Sequence, residues 1–321
     1  MFQQLLITLG SGVASAVFFF IPIKGSYLAL VMGLFAPLPL MIVSLGFGIR
    51  AGVIAAFLGA LLVAIMLHYW LALAFVLSVA LPAVLLSHVV QNASGASQIN
   101  APAPFIVETL LAWIAGVTIA LDWFGILSIG LRYPTFDAAV EDLAARFAPL
   151  VAAVFERSSA FNEINVQEFA GTLVLAMGPV MAIWGVFALA LNFWLAGRVV
   201  QISGRLARPW PDVTARLGLP RSALIIFVLT IGLALLPGAI RVFAATAAAG
   251  IAAVLALQGL AIVHWRTRGN PARVGILTAV YGATLFIFPW PLVLLAGLGF
   301  ADLATGSRLR KSNPTVSTKK T

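Results

Sequence analysis

Long apolar blocks separated by short clusters of charge, proline or glycine set the rhythm of this chain. They span Leu5–Phe20, Tyr27–Leu45, Val53–Leu67, Trp70–Val90 and Phe105–Leu121. After a polar interval from Asp122 to Glu168 come Phe169–Ala196, Ala223–Leu236, Ala239–Val263 and Val274–Phe300. A helix needs roughly 20 apolar residues to cross a hydrocarbon core about 30 Å thick, and most of these blocks approach that length. The last block holds Phe288-Pro289-Trp290-Pro291. Each proline lacks a helix donor, so the block is either one long crossing or two short arms. The pattern predicts an all-α fold, a polytopic transmembrane bundle of eight to ten helices forming one domain over residues 1–304. Residues 305–321 read as a disordered basic tail.

One segment has a different period. Between Pro134 and about residue 157, Phe136, Val140, Leu143, Phe147, Leu150, Val151 and Val154 recur at three- and four-residue steps, with Asp137, Glu141, Asp142 and Arg146 between them. That spacing predicts an amphipathic helix. Its acids crowd the first turns, where the helix dipole favours them. A headgroup-binding helix would instead be rich in Lys and Arg, so this one is expected to lie across the mouth of the bundle and pack on it.

Composition agrees with the pattern. Hydrophobic residues make up 62% of the 321 and charged residues only 9%, against about a quarter charged in a soluble domain. The net charge of +9 gathers in loops and tail, where Lys and Arg orient a membrane protein and meet anionic lipid. Without interleaved aromatic residues, this charge does not read as a nucleic-acid surface. The expected partners are the lipid bilayer and other membrane protein subunits.

Charge also predicts orientation. The interval Asp122–Glu168 carries seven acids against three arginines, whereas Arg198, Arg205, Arg208, Arg216 and Arg221 stand against Asp212 alone, and Arg266, Arg268 and Arg273 follow. The positive-inside bias places the basic loops in the cytoplasm and the acidic interval outside a bacterial cytoplasmic membrane. Both termini are then cytoplasmic, provided the last block crosses twice. Ala14-Ser15-Ala16 resembles a cleavage site, but no Lys or Arg precedes it and the apolar run continues, so an uncleaved first helix is expected.

Candidate chemistry is sparse. The chain has no cysteine, which excludes disulfides and thiolate ligation. It contains no phosphate-binding loop, no zinc-protease helix and no nucleophile elbow, and we expect neither an enzyme nor a metal or other cofactor. His68, His88 and His264 fall at predicted helix ends. Three polar residues interrupt apolar runs: Glu108 in PFIVETLLAW, Asn192 in FALALNFWLAG and Gln258 in AVLALQGLAI. Uncompensated polar groups are costly in lipid and tend to face a bundle interior, so these three are candidates for one solute-binding pocket. Each amide alternatively ties its helix to a neighbour. Pro37 and Pro39 fall inside the second block, where a helix break would free carbonyls of the kind transporters use to build sites. Small residues four apart, such as Gly12 with Ala16 and Ala55 with Gly59, predict close helix packing.

Three stretches carry a family likeness: GPVMAIWGVFALALNFWLAGRVV (Gly178–Val200), RPWPDV (Arg208–Val213) and ARVGILTAVYGATLFIFPWPLVLLAGLGFAD (Ala272–Asp302). Together they resemble the YybS-like bacterial membrane proteins, domain of unknown function 2232. That family is in turn loosely similar to the substrate-binding components of energy-coupling-factor transporters and to MreD. The resemblance implies either a transport-related, solute-binding or permease subunit, or a non-catalytic scaffold of cell-envelope machinery. It assigns no functional residues.

Overall fold

The computed structural model describes residues 2–93, 103–155, 164–206 and 217–306, with backbone alone at 23–24, 93 and 103–108. The described residues form helices α1 (Phe2–Phe20), α2 (Tyr27–Gly33), α3 (Pro37–Phe47), α4 (Ile49–Met66), α5 (Tyr69–Phe75), α6 (Leu81–Ala93), α7 (Ala103–Gly130), α8 (Phe136–Phe155) and α9 (Val166–Ile202). They continue with α10 (Ser222–Leu233), α11 (Ala239–Arg266), α12 (Arg273–Phe286) and α13 (Trp290–Thr305). Seven candidate spans, two of them built from broken helices, are long and apolar enough to cross a membrane, and α10, α12 and α13 are shorter apolar helices. The protein is an all-α polytopic bundle, as the apolar blocks predict. The polar segment between the fourth and fifth apolar blocks and the expected tail at 305–321 lie largely outside the described residues.

One boundary differs from the sequence reading, and two breaks follow it. The fifth block does not stop at Leu121, because α7 runs on to Gly130. A single carboxylate does not end a helix when WFGILSIG restores the apolar run behind it and no proline intervenes. Asp122 therefore lies within a candidate span, Thr109–Gly130, rather than in the polar interval. The second block splits as its prolines foretell: α2 ends at Gly33, a turn covers 34–36, and Pro37 opens α3, a position where its missing N–H removes no intrahelical bond. The last block breaks beside the cis Phe288–Pro289 peptide into α12 and α13, the two-arm arrangement.

The core is continuous through α1, α3, α4, α5, α6, α7, α9, α11 and α13. Small residues let backbones meet, as between α11 and α13, where a methyl group on Gly259 would strike the Leu295 carbonyl and one on Gly299 the Leu255 carbonyl. Gly12 and Ala55 bring α1 and α4 together in the same way, so these small-residue faces serve packing inside the bundle.

The amphipathic helix α8 packs on one helix of the bundle, α9. Its Ala144, Phe147, Ala148, Val151 and Phe155 form a separate small cluster with Val166, Ala170 and Val174 of α9, while Leu150 and Val154 stay exposed. The reason is length. At 1.5 Å per residue, the 37-residue α9 is about 55 Å long, well beyond a 30 Å hydrocarbon core, and its first turns offer α8 a protein surface of its own. The Tyr133 hydroxyl donates to Asp142 Oδ2 at 2.5 Å and Arg146 Nε to the same oxygen at 2.8 Å. Those bonds, Tyr133's first, hold the Asp142 carboxyl below its ordinary pKa.

Candidate functional site

Gln258 is 2% exposed on α11, and both ends of its amide are used. Nε2 donates to Asp302 Oδ2 on α13 at 2.9 Å, and Oε1 accepts from the Leu219 N–H, just before α10, at 3.3 Å. The amide joins three parts of the bundle at one point. Asn192, fully buried on α9, donates from Nδ2 to the carbonyls of Leu34 and Ala188, each at 2.8 Å.

The Leu34 carbonyl is available because of the helix break. Around Pro37 and Pro39 the chain tightens to three-residue bonds, Ala36 N–H to Gly33 and Leu38 N–H to Phe35, a pattern that passes over Leu34. Ser15 covers the next exposed acceptor by donating to the Ala36 carbonyl at 2.6 Å. The break is thus clamped by Asn192 and Ser15, which leaves Asn192 Oδ1 without a partner.

Asn192 and Gln258 share no hydrogen-bond partner. The side chain of Glu108 lies outside the described residues. A groove of about 480 Å³ between α6 and α7 is lined by Leu81, Leu85, Trp113, Gly116, Val117 and Leu121 among others; its lining includes neither amide. The histidines make local contacts. His68 Nδ1 accepts the Trp70 N–H, His88 pairs with Asn92, and His264 pairs with the Tyr281 hydroxyl.

Another part of the bundle holds polar atoms without partners. Among the described residues, four buried side-chain oxygens make no hydrogen bond: Ser44 Oγ, Thr118 Oγ1, Asp122 Oδ2 and Asn192 Oδ1. Two of them, Thr118 and Asp122, lie one turn apart on the same face of α7. Thr118 is 4% exposed, and its Cγ2 would stand 2.6 Å from a Cβ on Gly185 of α9. Two turns along the same stripe, Ile126 would stand 3.0 Å from a Cβ on Gly178 of α9. Asp122 falls between these two close approaches. On the adjoining face Ile119 abuts Gly250 of α11, and Trp123 Nε1 donates to the Phe243 carbonyl at 2.9 Å. The carboxyl therefore sits where α7, α9 and α11 meet.

The free Thr118 hydroxyl departs from the habit of this bundle. Helical Ser and Thr usually bond back to the carbonyl four residues earlier, and here Thr8, Ser11, Ser87, Thr246 and Thr267 all do so. Thr118 has such a carbonyl behind it and does not use it.

The family model described as "Predicted membrane protein (DUF2232)" matches residues 13–303. The chain belongs to this family. The match takes in α7, α9, α11 and nearly all of α13, so Thr118, Asp122, Asn192, Gln258 and Asp302 all fall within the DUF2232 region. No curated protein and no solved structure matches the chain.

Sequence reasoning missed Asp302 and the Thr118–Asp122 pair. Asp302 had a signal, since it follows the last apolar run and no other acid occurs after Asp212. Asp122 was hidden by the boundary drawn at Leu121, although the apolar WFGILSIG behind it was legible.

Proposed function

We propose that this protein is a non-catalytic, transport-related subunit of the bacterial cytoplasmic membrane that binds a small solute or forms part of a permease. The observation that supports it is the Thr118–Asp122 pair. An ionisable side chain within a span is expensive unless partnered, and where such groups persist they mark ion, proton or substrate paths. The basic loops support an orientation with both termini in the cytoplasm, which puts the Gly130 end of α7 outside. Reporter fusions at Asn270 and Pro134 should then read cytoplasmic and external; a cytoplasmic reading at Pro134 reverses the assignment.

A scaffold or assembly factor is the second reading. It is favoured by α10 and α12, in neither of which any residue is buried, as expected of helices that await a protein neighbour. Mass spectrometry of the protein purified in mild detergent separates the two. Transport predicts a stoichiometric small molecule that Thr118→Val loses without loss of folded protein. A stoichiometric protein partner with no small molecule would contradict it and support the scaffold.

A further inference from the structure

We infer that Asp122, with the Thr118 hydroxyl one turn away, forms a proton-exchange site inside the bundle. The inference takes from the transport reading only what the site is used for; the chemistry stands on the geometry.

Position comes first. Asp122 is eight residues from the end of α7, hence about 12 Å along the helix from that end. It falls inside the apolar candidate span Thr109–Gly130, where a carboxylate is costly. Second, although the residue as a whole is half-buried, its Oδ2 is buried without a partner, and so is Thr118 Oγ1. A carboxylate accepts hydrogen bonds and offers none, whereas the acid form donates through its own O–H. The Thr118 hydroxyl lies one turn back on the same face of α7 and is not bonded to the carboxyl in this structure, so both groups remain open to a proton or a solute.

The surroundings supply no counter-charge. Residues 170–185 of α9 and 242–256 of α11, the stretches beside Asp122, contain no titratable side chain. Glu168 of α9 and Arg241 of α11 are the charged groups nearest that end on those helices, and both are exposed. His88 on α6 is exposed near the opposite end of that packing. On α8, Asp142 and Arg146 are bonded to each other, and Asp137 and Glu141 are exposed. Among the described residues Asp122 forms no ion pair. Hard divalent cations take about six oxygens, and two unpartnered oxygens do not make such a cage. A proton needs only one.

Dicyclohexylcarbodiimide, an apolar reagent that modifies protonated carboxyls, tests the site on the full chain in detergent. Peptide mass spectrometry should find the adduct on Asp122 at about pH 6, falling at least about tenfold by about pH 9, and unchanged when sodium replaces potassium. The exposed Asp137 and Glu141 should stay unmodified, and the Asp122→Asn protein should lack the adduct. Failure to label Asp122 at about pH 6 in folded protein overturns the inference. Protection by sodium also overturns it, because the site would then hold a metal cation. Labelling in a protein that carries no solute would defeat the transport reading and leave the proton site standing.

Discussion

Gln258 and Asp122 are both polar residues on long apolar helices, and the bundle treats them in opposite ways. Gln258 arrives with a donor and an acceptor and finds a carboxylate for one and a backbone N–H for the other. Asp122 lies at a junction of helices whose backbone groups are already engaged, and its Oδ2 and the neighbouring Thr118 hydroxyl go without partners. The first arrangement stabilises a fold. The second is tolerated at the expense of stability, and natural proteins keep such defects where a site needs them. Asn192 stands between: its amide N–H groups clamp the helix break, and its oxygen is idle.

The strongest way to break this contrast is to remove the paired amides. Gln258→Leu leaves Asp302 one partner short and the Leu219 N–H without its acceptor, and should destabilise by about 2–3 kcal/mol. Asn192→Leu removes the clamp on the Leu34 carbonyl and should cost about 1–2 kcal/mol. Because the two amides share no partner, the double variant should be additive within about 0.5 kcal/mol in detergent unfolding. A larger coupling would revive the single pocket that the sequence suggested.

A smaller effect concerns α8. Asp142 has its pKa lowered by the Tyr133 and Arg146 bonds, so its contribution is present above the ordinary carboxylate range and is lost as pH falls through the lowered value. Hydrogen exchange over 136–155 should accelerate in wild type below about pH 4, and Asp142→Asn should show no such acid dependence. An acid response retained in the variant would place the sensitive contact elsewhere.

The helix bundle was legible because lipid demands long apolar runs, and the broken second block because two prolines cannot both sit in one helix interior. Which helix α8 packs on was not, since its partner surface is the first turns of the long α9. The amides were found, and each bonds to a neighbouring element, the tie that the sequence offered as the alternative to a pocket. Depth along a helix is readable from spacing, but the neighbour a side chain faces depends on how helices pack. Asp122 was misplaced for the opposite reason, a charge being taken for a boundary although apolar residues followed it.

The central claim is that the α7 pair is kept for function and the α11 amide for the fold, and unfolding stability tests it most directly. Replacing an orphaned polar group by an apolar isostere removes an unmet hydrogen-bonding demand, so Thr118→Val should be neutral or stabilising by about 1 kcal/mol while abolishing solute retention. Gln258→Leu, measured beside it, should be clearly destabilised. A Thr118→Val protein that loses as much stability as Gln258→Leu would contradict the account, because the hydroxyl would then be one more structural tie.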